Sequence, residues 1–226
     1  MKNVTTAAAP TVATCPNAAN INGNAQISAT TNITSTIADA AFGGGAAGAA
    51  GTGACVTVYN RAALTKAYSP TNVGQGQSST LTFTITNGAG NPAQSGLAFT
   101  DTFAAGLTVT GVGAVSGAGC GGTVSNTASS VSLASGTMTA GTASCTFTAT
   151  VRGDSTGTYP NATADISGLG SALDASGVSA TLTVVRPTLT KAWSAATIND
   201  GATTNLVLTL TNSGTNPAQS GIAFTE

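Results

Sequence analysis

Residues 64–101 read LTKAYSPTNVGQGQSSTLTFTITNGAGNPAQSGLAFTD. In the middle of this stretch, apolar and polar residues alternate, so that Leu81, Phe83 and Ile85 would point to one side of a strand and the intervening threonines to the other. A period of two residues indicates a β-strand with one buried face. A cluster of glycine and asparagine at residues 87–91 follows, as a turn follows a strand.

The alternating pattern continues through residue 185. Further strands are predicted at 97–99, 107–112, 131–133, 145–151 and 182–185, with glycine clusters at 117–122 and 136–141 predicted as the turns between them. About seven short strands with such turns are typical of an antiparallel sandwich. We therefore predict an all-β protein built from antiparallel β-sandwiches. The predicted core residues are Leu81, Phe83, Ile85, Phe99, Leu107, Val109, Phe147 and Val151.

The opening stretch occurs twice in the chain. Residues 189–226 read LTKAWSAATINDGATTNLVLTLTNSGTNPAQSGIAFTE and align with residues 64–101 without a gap, at an offset of 125 residues. Identical residues occupy 19 of the 38 positions, which chance does not produce. One repeat is therefore about 125 residues long, and residues 189–226 correspond to its first third.

The N-terminal residues match the other end of the repeat. VTVYNR at 56–61 aligns with TLTVVR at 181–186, and NITSTI at 32–37 resembles NATADI at 161–166. We therefore predict three parts. Residues 1–62 are the C-terminal part of one repeat, residues 63–187 are a complete repeat, and residues 188–226 are the N-terminal part of a further repeat.

Composition excludes several classes of function. Charged residues make up only 6% of the 226 residues, the net charge is −1, and no basic cluster is present, so nucleic acid is not an expected partner. No apolar run approaches the length of about 20 residues that a membrane helix needs. Residues 1–30 lack the continuous apolar core of a signal peptide, as in a secreted protein whose signal has been removed.

Residues suited to enzyme catalysis are also missing from the sequence. The chain has no histidine and no GxSxG motif, and its seven acidic residues are scattered singly. We therefore expect no enzyme activity, no cofactor and no metal site.

The four cysteines are Cys15, Cys55, Cys120 and Cys145. None belongs to a CxxC motif, and without histidine a zinc site is not expected. We predict two disulfides, Cys15–Cys55 and Cys120–Cys145, with buried free thiols as the alternative. Disulfides imply an oxidising compartment, so the predicted location is extracellular.

Three polar residues occupy positions that the alternation predicts to be buried or close to the core. Lys66 lies in an apolar-alternating first strand, Asp101 follows the apolar residues 97–99, and Asn161 is expected in a last strand. A desolvated lysine beside an asparagine and a protonated carboxylic acid can form an intramolecular isopeptide bond with loss of ammonia. The alternative is a buried Lys66–Asp101 salt bridge, with Asn161 capping a turn.

The segments LTKAYSP, STLTFTITN, LAFTDTFAAGL, CGGTV, SCTFTATV and GTYPN occur in this order. In that order they resemble a repeat domain of bacterial surface proteins whose function is unknown. The resemblance implies immunoglobulin-like sandwiches arranged in tandem in long secreted adhesins and stalks. It implies architecture and location, and it supplies no ligand.

These observations predict a structural spacer or filament subunit of the bacterial surface. The alternative is an adhesin module that binds a glycan or a host protein through loops such as residues 87–95. Because the two partial repeats are complementary, residues 189–226 of one copy are expected to join residues 1–61 of the next, head to tail. Lys191, Glu226 and Asn32 would then form an intersubunit crosslinking set.

Overall fold

The structure is a computed structural model, and it describes residues 61–88, 91–142 and 144–225. The predictions for residues 1–60, which include the first partial repeat, the Cys15–Cys55 disulfide and Asn32, lie outside these residues, as does Glu226. No helix of the described residues has both the length and the apolar character that crossing a membrane requires.

Fourteen strands make up almost all of the regular structure in the described residues, and a single 3₁₀ turn spans Thr163–Asp165. The strands are β1 (Ala62–Ser69), β2 (Asn72–Gly74), β3 (Ser78–Thr86), β4 (Gln94–Thr102), β5 (Leu107–Val112), β6 (Cys120–Asn126), β7 (Ser130–Met138), β8 (Ser144–Gly153), β9 (Gly157–Ala162), β10 (Ile166–Ser167), β11 (Leu173–Asp174), β12 (Ser179–Val185), β13 (Thr188–Trp193) and β14 (Leu206–Thr211).

The first twelve strands form a sandwich. One sheet has the strand order β11-β1-β3-β8-β5, a second has the order β10-β4-β7-β6, and a third, three-stranded sheet has the order β2-β12-β9. Most neighbouring strands are antiparallel, whereas β1 with β11 and β2 with β12 are parallel. The predicted all-β, immunoglobulin-like sandwich is confirmed.

The core lies between the sheets. Phe83 on β3 stacks on Phe147 of β8 with ring centroids 4.7 Å apart, and Phe99 of β4 packs against both from the opposite sheet. All eight residues predicted for the core are buried, because each lies on the inward face of a strand whose neighbours alternate. Phe83 and Phe99 are the largest fully buried side chains, and Ala, Val, Leu and Ile fill most of the remaining core.

The sequence predicted a turn at the glycine-rich residues 117–122, but part of this segment belongs to a strand. Strand β6 begins at Cys120, and β7 extends to Met138 through Gly136. The pairing of β6 with β7 shifts register around Gly122, which has a φ of +132°, and a Cβ there would lie 2.9 Å from the Cα of Gly136. Glycine is therefore required here by a bulge and a close approach of two backbones, both of which occur within paired strands.

The predicted Cys120–Cys145 disulfide is present. It joins β6 of the four-stranded sheet to β8 of the five-stranded sheet, with the two Cα atoms 5.7 Å apart. The bridge therefore links the two sheets across the sandwich.

The chain enters and leaves the sandwich at opposite ends. Ala63 at the start of β1 pairs with Thr86 at the end of β3, whereas Val185 at the end of β12 bonds to Gln75, just before β3 begins. The nine residues of β3 separate these two ends by about 30 Å. We call them the entry end and the exit end.

After the exit end, β13 and β14 form a separate hairpin. Its register reproduces that of β1 with β3 at the offset of 125 residues: Lys191 lies opposite Leu208, as Lys66 lies opposite Phe83. This register supports the prediction that residues 188–226 begin a further repeat. Only Arg186 and Pro187 separate β12 from β13.

Removing the disulfide tests its contribution to the sandwich. A Cys120→Ala, Cys145→Ala double variant is expected to lose about 3–4 kcal/mol of unfolding free energy, because a closed loop of this length restricts the unfolded chain. Urea denaturation followed by circular dichroism measures the loss. Reductant should lower the stability of the wild type and leave that of the double variant unchanged, and equal stability of the two proteins without reductant would contradict the prediction.

Candidate functional site: a buried lysine, carboxyl and asparagine

Lys66 is an inward-facing residue of β1. Burial alternates along this strand, and the lysine shares its buried face with Ala62, Leu64 and Tyr68. The lysine residue as a whole is 6% exposed, and its side chain is fully buried. An ammonium group in such a position is strongly disfavoured unless it is paired or neutralised.

Asp101 and Asn161 approach Lys66 from two other strands. Asp101 is the inward residue after Leu97 and Phe99 on β4, and it is 0% exposed. Asn161 lies on β9 and is 3% exposed. The site is therefore built by one residue from each of the three sheets.

The three side chains are in direct contact. Lys66 Nζ donates a hydrogen bond to Asp101 Oδ2 at 2.8 Å and a second hydrogen bond to Asn161 Oδ1. Asn161 Nδ2 donates in turn to the backbone carbonyl of Thr102 at 3.3 Å. The structure thus brings together the three residues that the sequence predicted.

Burial favours the neutral form of both Lys66 and Asp101. It lowers the pKa of Lys66, and the hydrogen bond and charge of Asp101 oppose this change. It raises the pKa of Asp101, against the hydrogen bond and charge of Lys66. Both burial effects favour transfer of the proton from the amine to the carboxylate, which would give a neutral amine beside a neutral carboxylic acid.

This arrangement meets the chemical requirements for amide formation. A neutral Lys66 amine in contact with the carboxamide is a nucleophile, and a protonated Asp101 is an acid that could polarise that carboxamide. The Thr102 carbonyl holds the Asn161 amide nitrogen, which is the leaving group. The same geometry also provides the Lys66–Asp101 salt bridge of the alternative interpretation.

The alternative interpretation had Asn161 capping a turn, and the structure shows a different role for this side chain. Its side chain points to Lys66 and Thr102, and the turn after β9 is closed by Asp165, whose carboxylate accepts a hydrogen bond from the Ala162 amide. Asp165 was not identified from the sequence. Its charge also bears on both partners, because it opposes the lowering of the Lys66 pKa and adds to the raising of the Asp101 pKa.

Tyr68 is a second residue that the sequence analysis missed. The hydroxyl of Tyr68 and Oδ1 of Asp101 are both buried without a hydrogen-bond partner among the described residues. Burial and then the charge of Asp101 raise the pKa of Tyr68 above its ordinary value. The alternation of β1 held the signal, because Tyr68 lies two residues beyond Lys66 on the same face.

The loop offered as a recognition site has a structural role. Asn87 and Asn91 are buried, and Asn91 Nδ2 donates to Asn87 Oδ1 at 2.9 Å. Asn87 Nδ2 donates to the Pro92 carbonyl at 3.1 Å, and in the second copy Asn212 Nδ2 makes the equivalent bond to Pro217 at 3.1 Å. The buried side chains of Asn87 and Asn91 therefore stabilise the loop and are not exposed for contact with a ligand.

The predicted intersubunit set can be placed only in part. Lys191 lies on β13 and is exposed, whereas Lys66, its counterpart, is buried. Asn32 and Glu226 lie outside the described residues.

Substitution of Tyr68 tests whether its buried hydroxyl destabilises the protein. Tyr68→Phe is expected to raise the free energy of unfolding by about 1 kcal/mol at neutral pH, because it removes a buried hydroxyl that has no hydrogen-bond partner in the described part of the chain. The pKa of Tyr68 is higher in the folded than in the unfolded chain, so the wild type should lose stability relative to the variant as the pH rises above about 10.

Urea denaturation between neutral and alkaline pH measures this difference. Tyr159→Phe is the matched control, because the Tyr159 hydroxyl donates to the Ser155 carbonyl at 2.8 Å and its removal should lower stability at neutral pH. If Tyr68→Phe destabilises the protein as much as the control does, the Tyr68 hydroxyl has a favourable partner.

Three comparisons place the chain among known proteins. Solved structures similar to it include a non-cellulosomal cohesin from the archaeon Archaeoglobus fulgidus, with 12% identity, a TM-score of 0.40, and coverage of 56% of this chain and 91% of the cohesin. A cohesin from Acetivibrio cellulolyticus has 15% identity and a TM-score of 0.37, covering 55% of this chain and 99% of its own length.

The collagen adhesin of S. aureus has 11% identity and a TM-score of 0.34, covering 72% of this chain and 57% of the adhesin. None of the curated proteins matches the chain. A family model does match, over residues 62–184 and 187–226. The chain belongs to the family described as domain of unknown function DUF7933.

Proposed function

We propose that this protein is an extracellular structural protein of the bacterial surface, and that its sandwich seals itself with an amide bond between Lys66 and Asn161. The observation that carries the proposal is the contact of Lys66 Nζ with both Asp101 and Asn161 in the core. Asp101 is the acid that promotes the reaction. The bond forms once in each folded molecule, so the protein is not an enzyme.

The proposed reaction exchanges one amide nitrogen for another. The neutral Lys66 amine attacks Cγ of Asn161, while the Asp101 carboxylic acid protonates the carboxamide oxygen. The tetrahedral intermediate collapses as the Asn161 Nδ2 leaves with a proton from the attacking amine, relayed through Asp101. One N–C bond forms, one N–C bond breaks, and the products are a Lys66–Asn161 amide and ammonia.

The position of this bond suits a domain that carries tension. Force on the chain would enter at the start of β1 and leave at the end of β12, and these two points lie at opposite ends of the sandwich. Lys66 lies on the first of these strands, and Asn161 pairs with Ala180 of β12 across the β9–β12 ladder. The amide would therefore connect β1, where force enters, to β9, which is paired with β12, where force leaves.

Other features agree with an extracellular structural role. The Cys120–Cys145 disulfide requires an oxidising compartment in order to persist. Charged residues make up 6% of the chain, so changes in salt or pH outside the cell would alter few surface interactions. The two-residue connection between β12 and β13 is too short to act as a flexible linker, as suits a stalk of stacked domains.

Mass spectrometry of the intact protein tests the bond. The reduced wild-type protein is expected to be lighter than its sequence by one ammonia, and fragmentation should yield a branched peptide that contains Lys66 and Asn161. Lys66→Arg keeps the positive charge but lacks the nucleophilic amine, and Asp101→Asn lacks the acid, so both variants should retain their full mass.

Lys191→Arg is the matched control. It changes the equivalent lysine of the second copy, which is exposed on β13, and it should show the same loss of ammonia as the wild type. Full mass in the reduced, folded wild-type protein would reject the proposed bond and leave the buried salt bridge as the function of the site.

Single-molecule stretching tests the role in load bearing. With the bond in place and the disulfide reduced, only residues 62–66 and 161–185 can extend. Their contour length of about 100 Å, less the folded separation of about 30 Å between the two ends, gives a gain of about 70 Å. Unfolding of the whole sandwich in Lys66→Arg should release about 400 Å, since every residue between Ala62 and Val185 can then extend. Equal extension of the two proteins would contradict a bond that shields the domain from force.

A further inference from the structure

A short turn connects two of the strands that build the buried site. Asn161 lies near the end of β9, and the 3₁₀ turn Thr163–Asp165 follows closely. Strand β10 begins at the next residue, Ile166, which pairs with Asp101 of β4. Asn161 and Ile166 are only five positions apart in the chain. The conformation of this turn therefore fixes how the asparagine of the site is placed relative to the strand that carries its carboxyl group.

Asp165 closes the turn. Its Oδ2 accepts a hydrogen bond from the backbone amide of Ala162 at 2.8 Å. Ala162 directly follows Asn161, so this bond restricts the backbone from which the Asn161 side chain projects. An acidic side chain that reaches back to the amide preceding its own turn stabilises the start of that turn. Asp165 thus holds Asn161 in its position beside Lys66.

The carboxylate of Asp165 also acts on the buried pair through its charge. Burial is the largest effect on both members, lowering the pKa of Lys66 and raising the pKa of Asp101, and the contact between the two opposes burial. The charge of Asp165 has a smaller effect, which raises the pKa of both. Tyr68 is a further titratable group at the site, and the charge of Asp101 acts on it. Asp165 therefore favours the protonated form of both reacting partners.

An effect of one sign on both groups changes the pH range in which the pair can react. Amide formation needs a single proton on the pair, held by Asp101 while the Lys66 amine is neutral. At lower pH a second proton charges the amine, and at higher pH Asp101 loses the proton that it needs as an acid. Because the charge of Asp165 stabilises added protons, it moves both limits to higher pH.

We propose that Asp165 is a positioning residue of the amide-forming site: its carboxylate holds the backbone that carries Asn161, and its charge sets the pH range of the reaction. This inference rests on the proposed Lys66–Asn161 bond. Asp165 gives up and receives no atom in it, since the new bond joins Lys66 Nζ to Asn161 Cγ and the leaving group is ammonia. The residue acts only through the geometry and the protonation of the groups that react.

The rate of ammonia loss as a function of pH tests the proposal. Full-length chains that are recovered unfolded from inclusion bodies, and that have their full mass, are refolded in buffers from about pH 5 to about pH 9. Samples are denatured at intervals, reduced and weighed by mass spectrometry. The wild type is expected to react fastest at an intermediate pH, because the pair must hold one proton.

Two substitutions separate the charge of Asp165 from its hydrogen bond. Asp165→Asn keeps an oxygen that can accept the bond from Ala162 but removes the charge, so its rate profile should move to lower pH. Asp165→Ala loses the hydrogen bond as well and should react about tenfold more slowly at its own optimum, because Asn161 is less well oriented. A role in stability alone would not shift the pH profile.

Asp174→Asn is the matched control. Asp174 also accepts a hydrogen bond from a backbone amide, that of Ser176 at 2.9 Å. Its charge is not among those that act on Lys66 or Asp101 in the part of the chain that the structure describes. The pH profile of this variant should therefore coincide with that of the wild type.

The possible failures are distinguishable. An Asp165→Asn profile that coincides with the wild-type profile would overturn the role of Asp165 and leave the bond in place. A wild type that refolds, as circular dichroism would show, and keeps its full mass at every pH would overturn the bond and this role together. If Asp165→Ala does not refold, the profile of Asp165→Asn decides by itself.

Discussion

The buried amine of Lys66 constrains the rest of the sandwich. A lysine on the inward face of β1 can remain there only if other groups accept its hydrogen bonds or its proton. Asp101 from β4 and Asn161 from β9 do both, and each comes from a different sheet. The three sheets must therefore assemble in one relative position, because a shift of either partner strand by one residue would turn its polar side chain away from the core.

In the proposed function, the same three residues connect the fold to the response of the domain to force. A chain that enters and leaves at opposite ends of the sandwich transmits force along its strands, and the hydrogen bonds of β1 and β12 would resist that force alone. A covalent bond between β1 and β9 changes which residues can extend, whereas a salt bridge in the same place does not. The disulfide lies at a different part of the core and links β6 to β8, so the disulfide and the proposed amide would hold different strands together.

The repetition in this chain preserves the parts that build the scaffold. The hairpins β1–β3 and β13–β14 share their register, and the NPAQSG loops share a hydrogen bond from an asparagine amide to a proline carbonyl. What differs between the two copies is the burial of their inward residues. These residues are buried in the first copy, where strands from residues far along the chain cover them, and exposed in the second.

The strands that carry most of the core, the core residues themselves and the three candidate site residues were predictable from the sequence alone. They follow from a two-residue period and from the recurrence of segments, which are local properties of the chain. Three features required the folded structure: β6 runs through a glycine-rich segment, the Tyr68 hydroxyl is buried without a partner among the described residues, and the Thr102 carbonyl holds the Asn161 amide. The order of strands in a sheet and the contacts between sheets depend on residues distant in sequence, and periodicity within one strand carries no information about which strand lies beside it.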